Sequence, residues 1–232
     1  MYSGHFAAGL AIGAKERRVP PLAILMGVGF LDLVNGVLVM AGIEHVRPAP
    51  AEPLAFDLVF IDWDHSIAMA LVWSALFGGL VYLLCRRDLR AGVVGGLAAL
   101  SHIVLDIPVH NGDLALWPGS SMHLGFYLWH DYPVFSYVLE LGLDLACAAY
   151  FVRRERAAGA RGARLVWPVA LLLGLHLQRW PAIDPMHWVA HLPMPTAQTV
   201  HGLLVFAGFL GPGALFAWLV TRARRGALPA SP

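Results

Sequence analysis

The chain has 232 residues, 58% hydrophobic and only 13% charged, with a mean hydropathy of +0.64. Soluble domains carry about 25% charged residues, so this composition excludes an ordinary water-soluble fold. A net charge of +1 argues against a nucleic-acid partner, which needs a concentrated basic surface.

The segment Ser3 to Ala14 is apolar but short, covering about 18 Å as a helix at 1.5 Å per residue. It reads as a half-membrane or interfacial helix tucked into a bundle. Met1 to Gly13 has no basic n-region and no small-residue cleavage site, so it does not read as a signal peptide. Six apolar spans follow, at about 22–42, 66–85, 91–107, 132–152, 165–180 and 200–221. Prolines mark the non-helical stretches between them, among them Pro48, Pro108, Pro118, Pro181 and Pro193. The predicted fold is an all-α polytopic membrane bundle: six transmembrane helices plus the short N-terminal one, in a single domain over 1–232. Cys85 and Cys147 sit at arginine-rich helix ends and read as packing residues rather than as a disulfide or metal pair.

Fourteen of the sixteen Lys and Arg fall on one side of this arrangement. Lys15, Arg17 and Arg18 precede the first span and Arg86, Arg87 and Arg90 follow the second. Arg153, Arg154, Arg156, Arg161 and Arg164 follow the fourth, and Arg222, Arg224 and Arg225 follow the sixth. Basic loops stay cytoplasmic, which puts both termini inside and the loops 43–65, 108–131 and 181–199 outside. Only Arg47 and Arg179 fall on the outer side, whereas all eleven histidines lie on or toward it.

The densest outer stretch runs from Ser101 through His102, Asp106 and His110 to Asp113, then Leu116 to Gly119. His102 and Asp106 are four residues apart and share a helix face. Both fall within the outer leaflet, where an unpaired carboxylate costs roughly 2.5–3.5 kcal/mol at a helix centre. Pro108 should end the helix and let His110 and Asp113 fold back over its mouth. Asp62 or Asp64 reads as an N-cap of the second span, which leaves His65 free to join His102. Asp32 is a lone acid within the first span, and Glu44 closes that span. The set His5, Asp32, His65, His102, Asp106 and His110 can hold one or two divalent ions, with zinc the expected one. His65, His102, Asp106, His110 and His5 are the expected ligands; Asp32, Asp106 and Glu44 are the acids available for catalysis. His5 reaches the set only if the short helix packs inside the bundle.

The sequence resembles the bacterial membrane-bound predicted metal-dependent hydrolases over about residues 1–153. The resemblance rests on Gly4-His5, Leu31-Asp32, Gly42-Ile43-Glu44, Asp64-His65-Ser66, Ser101-His102 through Asp106, His110 to Leu114, Leu116 to Gly119, Gly125 to Trp129, and Glu140. It implies an inner-membrane protein with a His/Asp metal site, and residues 154–232 are two additional helices. Where such proteins often carry an Asn-Ser pair, this chain has His130-Asp131. A hydrolase of this layout would take a lipid or lipid-linked phosphoester, or another small molecule, from the outer side.

Two other classes compete. Type 2 phosphatidic acid phosphatases share an early Gly-His and a His-x-x-x-Asp, but their basic phosphate-binding signature is absent here; neither Arg47 nor Arg179 fits it. A non-enzymatic membrane protein, either an ion or proton transporter or a structural subunit of a complex, would also use intramembrane Asp32, His102 and Asp106. No internal repeat of the transporter kind is visible.

Overall fold

The computed structural model describes residues 1–160, 162–180 and 182–225; Arg161 and Pro181 lie outside the described residues. In chain order the elements are α1 (Ser3–Lys15), α2 (Pro21–Gly27), α3 (Phe30–Met40), β1 (His45–Pro48), β2 (Phe56–Phe60), α4 (Asp62–His65), α5 (Ile67–Leu84) and α6 (Leu89–Asp106). They continue as β3 (Leu114–Ala115), β4 (His123–Leu124), α7 (Leu128–Asp131), α8 (Pro133–Ala157), α9 (Gly162–Gln178), α10 (Pro185–Val189) and α11 (Thr196–Arg225).

Four helices, α5, α6, α8 and α11, are long and apolar enough to cross a membrane. The expected first span is instead a broken pair: α2 and α3 meet at a 52° bend and make a fifth crossing if counted together. The break falls at Gly27-Val28-Gly29, where two glycines weaken the helix. A Cβ on Gly29 would lie 2.6 Å from Phe209 of α11, so the packing there demands glycine. The expected fifth span is α9, whose 17 residues cover about 26 Å, a little less than a hydrocarbon core, with Pro168 inside. Two antiparallel hairpins, β1–β2 and β3–β4, qualify the all-helical expectation. Both lie in the proline-bearing stretches between spans. Val46 and Phe56 pin the first hairpin onto an apolar cluster with Val39, Val189 and Ala197.

The short helix α1 is central rather than interfacial. Phe6 and Leu10 are buried in the main core with Leu25, Phe151, Leu172 and Phe216. Phe6 stacks between Phe209 at 5.5 Å and Phe216 at 5.2 Å. Helices α3 and α11 touch backbone to backbone: a Cβ on Gly36 would lie 2.6 Å from the Gly202 carbonyl, the close approach that small residues allow between apolar helices. Cys85 and Cys147 are free thiols packed beside the core.

Ion pairs gather several basic segments at one end of the bundle. The buried Glu155 of α8 accepts from Arg17 at 2.5 Å and from Arg224 of α11 at 2.7 Å. Arg90, at the start of α6, pairs with Glu16 at 2.7 Å. The other end of α6 carries His102 and Asp106, so the basic clusters and the His/Asp set are separated by the length of that helix.

Candidate metal centre

The site grows from the end of α6. The helix stops at Asp106, as Pro108 requires, and the amides of Val109 and His110 both bond back to the Asp106 carbonyl at 3.0 and 2.9 Å. The segment before α7 closes over this turn: Phe126 donates to the Ile107 carbonyl at 3.1 Å and Tyr127 to the His110 carbonyl at 2.9 Å. Gly125 makes the closure possible, because it has φ +142° and a Cβ there would collide with the backbone of His110 and Gly112. His110 is thereby folded back over the helix end, its Nδ1 donating to Asp113 at 2.7 Å and its ring 4.6 Å from that of Trp129.

His102 is fully buried, and its Nδ1 lies 2.7 Å from the carbonyl of Val28, at the break between α2 and α3. A carbonyl can only accept, so Nδ1 carries a proton and Nε2 is the ring atom turned toward the site. Nε2 faces Asp106 Oδ2 at 3.1 Å, Asp32 Oδ2 at 3.3 Å and His65 Nε2 at 3.3 Å. The same break that aims the Val28 carbonyl at His102 places Asp32 in the first turn of α3.

His65 arrives from α4. Its Nε2 lies 3.7 Å from Asp32 and 3.8 Å from Asp106, and its Nδ1 faces Asp64 at 2.9 Å without hydrogen-bond alignment. The N-cap of α5 is Ser66, which accepts from Met69; neither Asp62 nor Asp64 takes that role. Asp62 accepts from the Gly119 amide instead, and Asp64 is buried behind His65. His5 comes from α1, which does pack inside the bundle. Its ring stacks on His102 at 3.8 Å between centroids and its Nε2 lies 3.2 Å from Asp106 Oδ1. The Met1 amino group also contacts Asp106 Oδ1.

Two overlapping groups of donors are close enough to hold an ion: His65, His102 and Asp106, and His5, Asp32 and His102. His110 stands at the rim, with Nε2 3.8 Å from Asp106. Asp32, His65, Asp106 and His110 open onto a cavity of about 300 Å³. Of the two acids in the donor groups, Asp32 is the more exposed, at 17% against 2% for the Asp106 side chain.

Glu44 lies apart from that cavity and fully buried. Its carboxyl accepts from Asn35 at 3.0 Å, from the Trp63 amide at 2.9 Å and from the Asp64 amide at 3.2 Å, so it holds the first turn of α4. Burial, and then the neighbouring Asp64 carboxylate, push the Glu44 carboxyl up to about 9. Burial also raises Asp64 well above the usual carboxylate range. Glu44 therefore retains its proton at neutral pH.

Among the other histidines, His176 lies 3.2 Å from Asp144 and His201 packs on Phe56 while lining the cavity. His130 is exposed beside Asp131, whose carboxylate raises its pKa. Three contributors went unassigned from the sequence. These are the Val28 carbonyl, Asp64 behind His65, and Arg179, among the described residues the only Lys or Arg lining the cavity. Only Arg179 carried a signal, as one of two bases on the histidine-rich side. No family model, curated protein or solved structure matches the chain.

Proposed function

We propose that this protein is an inner-membrane metal-dependent hydrolase, as its resemblance to that predicted family implies. The observation that carries this reading is the convergence of donor atoms on His102 Nε2. With Nδ1 turned to the Val28 carbonyl, His102 aims Nε2 at two carboxylates and a second imidazole, all within 3.3 Å. Donors crowded in this way repel unless a cation sits among them, and the Met1 amino group meets only Asp106 Oδ1. Imidazole and carboxylate donors of this kind suit a divalent ion, zinc above all. His102, His65 and Asp106 would hold it, with His5 and Asp32 as the adjoining donors and His110 at the open side.

When bound, such an ion supplies Lewis acidity and an acidified water. Asp32, the more cavity-exposed acid, is the group to take up a proton as general base at its carboxylate oxygens. Asp106 orients His5 and His102 from the end of α6. Glu44 acts as a positioning residue, holding α4 and through it His65. The apolar helices and the basic clusters support a six-span topology with both termini cytoplasmic and the site facing outward. An ester reached from the outer leaflet is the substrate class that such a depth favours.

The test is metal content of the purified full-length protein with hydrolysis of fluorogenic phosphoester and acyl-ester lipids, for wild type and His102→Ala. Stoichiometric metal in wild type, its loss in the variant and chelator-sensitive hydrolysis are expected. A wild type free of metal after gentle extraction overturns the reading. Proton transport draws on a different feature, the buried contact of Ser3 with Asp144 at 2.7 Å and of Asp144 with His176 at 3.2 Å, which joins α1, α8 and α9. Proton flux in vesicles, lost in Asp144→Asn, would favour that reading instead.

A further inference from the structure

Two hairpins cap the end of the bundle that carries the His/Asp set, and they differ in kind. The β1–β2 hairpin is charged: Arg47 pairs with Asp57 at 2.6 Å on its surface, and Glu52 stands half-exposed between its strands. Residues 114–127, which carry β3 and β4, contain no Lys, Arg, Asp or Glu. Trp117, Met122 and Phe126 of this stretch are nevertheless 54%, 61% and 66% exposed. Single exposed apolar side chains are ordinary, but three large ones on one short uncharged segment mark a surface that meets something other than water.

The segment is seated on the start of α5 and the end of α6. Leu114 is buried with Ile61, Ala70 and Ile103. The Leu116 carbonyl accepts from the Ala68 amide at 3.0 Å, and the Phe126 amide donates to the Ile107 carbonyl at 3.1 Å. Both helices are long and apolar enough to cross a membrane. Leu71, three residues beyond Ala68, and Val104, three before Ile107, are more than half exposed. Residues three apart share a helix face. The exposed apolar faces of the two spans therefore end within one turn of the points where the segment is bonded.

The backbone of the turn suits the same surroundings. The Ser120 amide donates to the Trp117 carbonyl at 2.9 Å and the Leu116 amide to the Met122 carbonyl at 3.1 Å. The Met122 amide donates to Ser120 Oγ at 3.0 Å and the Gly119 amide to Asp62 at 2.8 Å. Backbone groups left unpaired near lipid are costly, and these are paired within the protein. We infer that the β3–β4 segment lies in the membrane interface, with Trp117, Met122 and Phe126 among the lipids of the leaflet at this end of the bundle. Tryptophan is enriched at that depth. Phe126 is bonded to Ile107 and Tyr127 to His110, so this seating sets His110 and the cavity rim at the level of the lipid headgroups. The inference needs only that α5 and α6 cross the membrane, and it stands apart from the hydrolase reading.

The experiment is power saturation by electron paramagnetic resonance on the full-length protein in liposomes of phosphatidylcholine and phosphatidylglycerol, with Cys85 and Cys147 changed to Ala. A nitroxide is attached at Met122→Cys or Phe126→Cys, and at Glu52→Cys on the charged hairpin for comparison. Both segment positions should be more accessible to oxygen than to a water-soluble nickel chelate, at a depth of about 5–10 Å into the headgroup and acyl boundary. Their oxygen-to-nickel ratio should exceed that of the Glu52 position severalfold. Either segment position carries the test should the other variant fail to fold. A ratio equal to that of the Glu52 position puts the segment in water and overturns the inference. Low access to both reagents marks burial against protein, in a second copy if access rises on dilution in lipid, and overturns it as well.

Discussion

The Nδ1 atom of His102 sits 2.7 Å from the carbonyl of Val28, the residue at which α2 gives way to α3. A helix break and a buried histidine are thus one feature. The break supplies the acceptor that orients the ring, and it brings Asp32 opposite the other ring nitrogen. Groups that orient a metal-binding histidine typically account for 10–100-fold in affinity. The Gly29→Ala variant tests the link, because its Cβ would meet Phe209 and shift the break. Metal affinity by competition with a chromogenic chelator should fall about 10–100-fold. Unchanged affinity would separate the break from the site.

Asp113 stands in the same relation to His110, with 2.7 Å between carboxylate and Nδ1. If His110 completes the ligand set, Asp113→Ala should lower metal affinity about tenfold while leaving the metal-free protein's melting temperature within a degree or two. A fall in both would mark Asp113 as a loop staple only.

Glu44 should make stability depend on pH. Its folded carboxyl titrates at about 9, above the ordinary glutamate range, so the folded state keeps a proton that the unfolded chain has released. Stability from this group is fully present at acidic pH and is lost as pH rises from about 4.5 toward 9, by at most ~1.4 kcal/mol per pH unit. Glu44→Gln, which cannot ionise, should flatten that slope in thermal unfolding of the metal-free protein between pH 5 and 9. Parallel wild-type and variant curves would contradict the assignment.

At the opposite end of the bundle, Glu155 is fully buried between Arg17 and Arg224. Glu155→Ala leaves two arginines without their acceptor and should cost about 3 kcal/mol in detergent unfolding. Because this network is a helix length from His102, metal affinity should not move. A loss of metal binding at unchanged stability would be the opposite of this expectation.

Much of this protein is legible in its sequence, for physical reasons that are local. Apolar runs long enough for a bilayer mark α5, α6, α8 and α11 without any tertiary information, because in lipid each helix satisfies its own backbone. The spacing of His102 and Asp106 puts them on one face by helix geometry alone, and Pro108 ends that helix by steric exclusion. Tertiary structure decides what depends on contacts between segments far apart in the chain. Phe209 against Gly29 turns one expected span into a broken pair. The central burial of α1 brings His5 onto His102, which no spacing announces. Glu44 is an acid in sequence, yet its burial against α4 makes it a support rather than a cavity group. Arg179, an isolated charge in the sequence, lines the cavity beside its partner Asp184 at the start of α10. Helix formation and helix ends are set by neighbouring residues; proton sharing and the cavity are set by which helices meet.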